Sequence, residues 1–343
     1  MTQKRAICSI ILAAGKGTRI GLTSTHKTCL PVGGRPVIVR SIETYRAAGI
    51  SPQIVVLGKG AEHVLKTVGS RFSDILFAYQ PEPLGTGNAA KCGAKLLSSV
   101  GYDGDVLVTA GDKLVEEKAV KKMIRKFRSG GGDCLFLIGQ REDSPGSGRV
   151  IFDEEGEPVR IIERADIRRA RLLSQILQMA EQGEIQPDFV AKAIAAERIS
   201  KHKAQLAFDR LWDFASGIIS MSADEIKGLI PRRDTSFRVH FGKGTRKLSA
   251  EEVDSAEYVN LSVYLLKADA LQFAVKKVKA DNAQNEEYLT DIIEILARAR
   301  KGDPSGFKLG TMRVDDPCQV MGFNSLEELR AIEEYVRQKE RPA

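Results

Sequence analysis

Short continuous apolar runs alternate along this chain with stretches in which apolar residues recur every three or four positions. The runs Ile7–Ala13, Gln53–Leu57, Ile75–Tyr79, 105–109 and 134–138 predict buried strands. Between them, the spacing over Val37–Ala47, 61–68, 89–97 and 117–127 predicts helices. Such alternation predicts an α/β fold, a doubly wound and mostly parallel Rossmann-like sheet that binds ligands at the carboxyl ends of its strands. Arg149–Phe152 and Pro158–Ile162 flank Asp153-Glu154-Glu155-Gly156, a hairpin signal. Further on, 259–265 predicts a strand, and 270–278, 290–300 and 326–337 predict helices.

The segment between Glu163 and Glu257 is far longer than a connection inside a compact domain, and it has helical patterns of its own. The organisation read from the sequence is one domain over 1–343, interrupted by a mainly helical insertion at 165–256. Ser222 with Glu225, and Ser249 with Glu252, fit capping boxes that open two of its helices. Its basic run, with Arg232, Arg233, Arg238, Lys243, Arg246 and Lys247, reads first as a solvated face. A homo-oligomer contact is another use of such a surface segment.

With 343 residues and 43% hydrophobic composition the chain can bury a sizeable core. No apolar run is long enough to span a bilayer, and the start lacks a signal-peptide cleavage pattern, so no membrane partner is expected. The net charge of +7 comes from mixed signs spread along the chain rather than from a stripe or tail, which argues against a nucleic-acid partner. The five cysteines, Cys8, Cys29, Cys92, Cys134 and Cys318, fit no zinc spacing and read as reduced thiols of a cytoplasmic protein.

Candidate chemistry begins at Leu12-Ala13-Ala14-Gly15-Lys16-Gly17-Thr18-Arg19, directly after the first strand. Glycines there let bare backbone approach phosphate, successive N–H groups cradle an anion, and Lys16 and Arg19 add charge. A dinucleotide loop does not fit, because Ile20 takes its third glycine position. A P-loop at 21–28 does not fit either, because His26 takes its second.

The opening Leu-x-x-Gly-x-Gly-Thr-Arg followed by Lys27 closely resembles the sugar-1-phosphate nucleotidylyltransferase family. Gln80-Pro81-Glu82-Pro83-Leu84-Gly85-Thr86-Gly87-Asn88-Ala89 resembles that family's base-recognition loop, in its N-acetylglucosamine-1-phosphate uridylyltransferase version. The resemblance implies that Leu12, Ala13, Ala14, Gly15, Lys16, Gly17, Thr18, Gln80, Gly85 and Thr86 bind the nucleotide. It makes Arg19, Lys27 and Asp112 catalytic, with Mg²⁺ held by Asp112 and Asn324. Gly148, Glu163, Asn260, Tyr288 and Thr290 would face the sugar, so the two ends of the insertion are expected beside the acceptor pocket. The family's C-terminal acetyltransferase β-helix has no counterpart in hexapeptide repeats here.

Three positions depart from the family pattern. Lys113-Leu114 follows Asp112 where relatives have a residue and then proline, and an ammonium there could repel magnesium or hold a phosphate. Leu261-Ser262 follows Asn260 where relatives have Thr-Gly, and Asn285 stands where they have glycine. The resemblance implies transfer of a nucleotidyl group, uridylyl from UTP, onto an N-acetylhexosamine 1-phosphate with release of pyrophosphate. The alternative is a catalytically silent, nucleotide-sugar-binding regulatory protein of the same fold.

Overall fold

The computed structural model describes residues 5–15, 25–130, 132–183, 185–196, 204–205, 208–242, 244–300 and 306–340. The chain begins with β1 (Ile7–Ala13), followed by the short strands β2 (Pro31–Val32) and β3 (Arg35–Pro36) and by α1 (Val37–Ala47). It continues through β4 (Gln53–Leu57), α2 (Glu62–Gly69), β5 (Ile75–Tyr79), α3 (Thr86–Ser99), β6 (Asp105–Ala110), β7 (Lys113–Val115), α4 (Glu117–Gly130) and β8 (Cys134–Gln140). The hairpin β9 (Arg149–Phe152) and β10 (Pro158–Ile162) leads into α5 (Arg164–Gln182).

The expected doubly wound sheet is present. Strand β1 pairs in parallel with β4 on one side and β6 on the other, and β4 pairs in parallel with β5. The late strand β13 (Tyr258–Lys267) runs antiparallel beside β6 and also pairs with β8, which takes β14 (Leu309–Arg313) in parallel. Hairpin β9–β10 joins this sheet through Val259 of β13. The parallel half carries the turn from one sheet direction to the other at β1 and β6. Ligands of such sheets bind outside the carboxyl ends of strands at that point.

Strand β1 is buried along its whole length because helices cover both faces. Cys8, Ile10 and Leu12 pack with Val108, Phe136, Tyr264 and the helices 268–275 and 291–300. Ile7, Ile11 and Ala13 pack on the other face, with Leu107, Ile38, Ile42 and Met123. Full burial of each large aliphatic side chain stabilises the fold by about 1.5–3 kcal/mol, so a continuous apolar run is what a two-sided strand requires. All five cysteines are free thiols.

The segment 165–256 starts as α5 and continues through α6 (Pro187–Ala196) and the helices Arg210–Ala215 and Ala223–Leu229. Leu173, Ile176, Val190, Phe208, Phe214 and Ile226 form an apolar cluster separate from the sheet's. Both capping boxes are formed: Ser222 accepts from the Glu225 amide and Ser249 from the Glu252 amide, and each glutamate bonds back. Helical spacing missed one feature. The basic run forms the antiparallel pair β11 (Ser236–Phe241) and β12 (Gly244–Ser249), whose Phe237, Val239 and Leu248 pack on Ile162 and Ile167. Its basic side chains Arg232, Arg238, Arg246 and Lys247 are exposed. Among the described residues no helix is long and apolar enough to cross a membrane.

Candidate active site

At the carboxyl end of β1 the chain passes through Ala13, Ala14 and Gly15, and the Leu12 carbonyl accepts the Gly111 amide at 2.8 Å. That bond fixes the end of β6 beside the end of β1 and brings Asp112 into the crevice. A Cβ on Gly58 would lie 2.4 Å from the Ala14 carbonyl oxygen, so the glycine lets the turn after β4 close against this loop. Lys16, Gly17, Thr18 and Arg19 lie outside the described residues.

Lys27 opens a 3₁₀ turn, Lys27–Cys29, whose N-cap His26 accepts from the Thr28 amide. Its ammonium forms an ion pair with Asp112 Oδ2 and donates to Asn324 Oδ1 at 3.2 Å. The Phe323 ring lies beneath it, 5.1 Å from ring centroid to nitrogen. Three residues far apart in sequence therefore meet around one cation.

Asn324 can turn inward because it does not cap the last helix. Ser325 does so by accepting the Glu328 amide at 3.1 Å, and the Glu328 carboxylate bonds back to the Asn324 amide. That helix, Leu326–Lys339, is tied down by Tyr335 and Lys339 on Glu116, and beyond its end Glu340 pairs with Arg40 at 2.8 Å. Tyr335 and Lys339 outweigh the opposing burial and hold the Glu116 carboxyl at about 2.

Lys113 lies one residue from this cluster, in β7, opposite Gly322 of β15 (Val320–Gly322). A Cβ at Gly322 would come within 2.7 Å of the Lys113 nitrogen, so the glycine makes room for this side chain. Burial holds the ammonium below its usual range, while the charges of Asp112, Glu328 and Glu163 oppose that shift.

Glu163 is the N-cap of α5, and a Cβ on Gly148 would meet its Oε2 at 3.3 Å. The Gly148 carbonyl accepts the Asn260 amide at 2.9 Å. Asn260 is buried, donates to the Tyr264 hydroxyl at 2.7 Å and accepts the Ser262 amide at 3.0 Å. Both atoms of its side-chain amide are thus engaged within a bulge of β13, where the pairing with β8 shifts register. Ser262 has φ +60° and Asn285 φ +51°. Both residues sit where the backbone is left-handed, a conformation that glycine adopts without strain.

Tyr288 and Thr290 are buried, and among the described residues neither hydroxyl has a hydrogen-bond partner. Burial, together with the charges of Asp166, Glu163 and neighbouring acids, keeps the Tyr288 phenol well above its usual value. Asp166 accepts the Ala283 amide at 2.7 Å, which ties this loop to the first turn of α5. Next in sequence, Asp291 is pushed up to about 7 by burial, with Asp166, Glu294 and Glu163 adding to the rise and Arg160 opposing it.

The base-loop residues occupy the other end of the same wall. Gln80 is buried, and its side-chain nitrogen donates to the Gly85 carbonyl at 3.0 Å and to Asn88 Oδ1 at 3.1 Å. Gly85 has φ +111°, and a Cβ there would meet the Glu287 carbonyl oxygen at 2.5 Å. Thr86 Oγ1 accepts the Leu289 amide at 3.0 Å, while the Gly87 amide donates to the Glu287 carbonyl at 2.7 Å. The glycines of this loop thus serve the close approach of residues 286–288. Among the described residues, sequence reasoning missed Phe323 and Glu287, whose parts depend on contacts far along the chain, and Tyr264, whose part is its bond to Asn260.

A family model described as "MobA-like NTP transferase domain" matches residues 9–198. The bifunctional protein GlmU of Pelotomaculum thermopropionicum is 27% identical over 97% of this chain and 52% of its own length. GlmU of Geotalea uraniireducens is 28% identical over 96% of this chain and 52% of its own. The chain spans about half the length of the curated relatives it matches. A Bacillus anthracis structure assigned as a glucose-1-phosphate thymidylyltransferase, in complex with a sucrose, covers 98% of both chains at 16% identity and a TM-score of 0.58, a likeness of fold. On the extent of the matching model, together with a crevice that collects Lys27, Asp112 and Asn324 at the ends of β1 and β6, this chain belongs to the MobA-like NTP transferase domain family.

Proposed function

We propose that this chain is a sugar-1-phosphate nucleotidylyltransferase that transfers a uridylyl group from UTP to an N-acetylhexosamine 1-phosphate. The observation that carries the reading is the convergence of Lys27, Asp112 and Asn324 at the sheet's ligand-binding end. The GlmU relatives and the thymidylyltransferase neighbour support the coarser reaction. For the base, both bonds of the Gln80 nitrogen are spent within the loop, so its oxygen is the atom that faces the choice of ligand. An acceptor there suits the ring N–H of uracil or thymine and not the bare ring nitrogen of cytosine.

A phosphate oxygen of the sugar 1-phosphate attacks the α-phosphorus in line as the bond to the β-phosphate oxygen breaks, and pyrophosphate leaves. The nucleophile is already anionic, so positioning and charge neutralisation carry the reaction and no general base is needed. Lys27 steadies the α-phosphate, and Arg19 with the Gly15–Thr18 backbone takes the leaving pyrophosphate. Lys113 offers a cation between the nucleotide and acceptor sides. Asp112 and Asn324 fit a magnesium ion, since their oxygens already share one cation and magnesium takes few protein oxygens beside phosphate and water. When bound, it neutralises phosphate charge. Gly148, Glu163, Tyr288 and Thr290 line the acceptor side, and Asn260 shapes it through the Gly148 carbonyl.

The test is to incubate the purified chain and Mg²⁺ with each nucleoside triphosphate and a panel of sugar 1-phosphates, reading nucleotide sugar and pyrophosphate. The expected outcome is turnover highest with UTP and an N-acetylhexosamine 1-phosphate. Tight nucleotide-sugar binding with no pyrophosphate in any pairing would contradict it and point to the silent regulatory protein.

A further inference from the structure

Asp254 lies at the end of the short helix Ala250–Asp254, the last element of the inserted segment. Its carboxylate receives three guanidinium groups: Arg149 Nη2 at 2.8 Å and Arg164 Nη1 on Oδ1, and Arg171 Nη2 at 2.7 Å on Oδ2. The Asp254 backbone carbonyl accepts from Arg149 Nε at 3.2 Å and Arg141 Nη1 at 3.4 Å. The Arg149 side chain is only 3% exposed, against 22% for Asp254. A guanidinium so buried is stable only while its charge is paired.

Arg149 does more than meet this carboxylate. Its Nη1 donates to the Ser147 carbonyl at 2.7 Å and the Pro145 carbonyl at 3.1 Å, clamping the loop that delivers Gly148. Gly148 in turn receives the Asn260 amide and lies against Glu163. Arg164 follows Glu163 directly, so its bond to Asp254 anchors the residue next to that glutamate. One carboxylate thus holds two arginines, each adjacent to a residue of the proposed acceptor side, and among the described residues it bonds to none of Lys27, Asp112 and Asn324. Burial raises the Asp254 carboxyl, yet Arg171, Arg164 and Arg149 outweigh it and keep it below its usual value, so it stays ionised near neutrality.

We infer, on the function proposed above, that Asp254 is a positioning residue for the acceptor pocket: through Arg149 and Arg164 it sets Gly148 and Glu163 against Asn260. The inserted segment then contributes to sugar-phosphate recognition through Asp254.

The test compares Asp254→Asn, Asp254→Glu and wild type by local hydrogen exchange and by steady-state kinetics. In Asp254→Asn the Asn260 amide, bonded to the Gly148 carbonyl, is expected to exchange at least tenfold faster, with the Gly87 amide of the base loop unchanged. The KM for the sugar 1-phosphate is expected to rise about tenfold with the KM for UTP within twofold, and Asp254→Glu to recover part of the loss. Unchanged protection of Asn260 in a folded variant would overturn the inference, as would equal changes in both KM values. If Asp254→Asn does not fold, Arg149→Lys keeps a cation but cannot span the four acceptors, and the same pattern is expected. Exchange decides the positioning role by itself, whereas a wild-type chain that turns over no substrate would refute only the proposed function.

Discussion

The two sides of the crevice are built differently. On the proposed nucleotide side, the backbone bond from Gly111 to Leu12 sets the end of β6, and with it Asp112, beside the end of β1, and Lys27 meets Asp112 from its own 3₁₀ turn. On the proposed acceptor side, Gly148, Glu163 and Asn260 come from the turn before a hairpin, a helix cap and a bulged antiparallel strand, and arginines beside the first two meet on Asp254. A site at strand ends inherits its geometry from the sheet. One assembled from loops needs buried ion pairs to hold it, and those are the parts an insertion can supply and alter.

The largest effect should come from the nucleotide side, whatever the acceptor. Lys27→Ala removes the cation shared by Asp112 and Asn324 and should lower turnover on the order of a hundredfold or more with the fold intact. Near-normal turnover with every sugar phosphate would break the contrast between the halves.

Next in size is the seam that both halves share. Gly85→Ala puts a Cβ 2.5 Å from the Glu287 carbonyl at a φ of +111°, so it should cost about 1–3 kcal/mol and loosen the base loop and the 286–289 loop together. Thermal melting with exchange at Gly87 and Leu289 measures this. A melt unchanged from wild type would show that the seam has slack.

A further effect is confined to the proposed acceptor side and is read as pH dependence. Asp291 is raised from 3.8 to about 7, so below about pH 4 it is protonated in the folded and unfolded chains alike. Between there and pH 7 the unfolded chain gives up a proton that the folded chain keeps, and stability falls as pH rises through that window. Asp291→Asn should remove this falling limb, leaving a variant that gains on wild type by a few degrees in melting temperature between pH 4 and 7 and no further above it. A constant difference across that range would mean that the carboxyl is not held neutral.

Legibility followed the same division. Strands β1 and β4 begin and end where the apolar runs place them, because two-sided burial leaves an uninterrupted run, and the edge strand β5 and helix α1 also keep their expected bounds. Lys27, Asp112 and Asn324 could be nominated because each sits in a short local motif. The hairpin β11–β12 was hidden by its charge, since Arg238, Arg246 and Lys247 mask an alternation whose inward members are Phe237, Val239 and Leu248. Asp254 carried no local signal at all. Its partners are Arg149 and Arg164, about a hundred residues earlier, and only the folded chain brings a lone aspartate to three arginines.

The most direct test of nucleotidyl transfer at the Asp112 cluster is phosphorus NMR of UTP and N-acetylglucosamine 1-phosphate with Mg²⁺ and either wild type or Asp112→Ala. Wild type should convert the two substrates into equimolar nucleotide sugar and pyrophosphate, and the variant, shown folded by its melt, should leave both unchanged over the same interval. Equal conversion by the variant, or release of inorganic phosphate with no nucleotide sugar from wild type, would contradict the assignment.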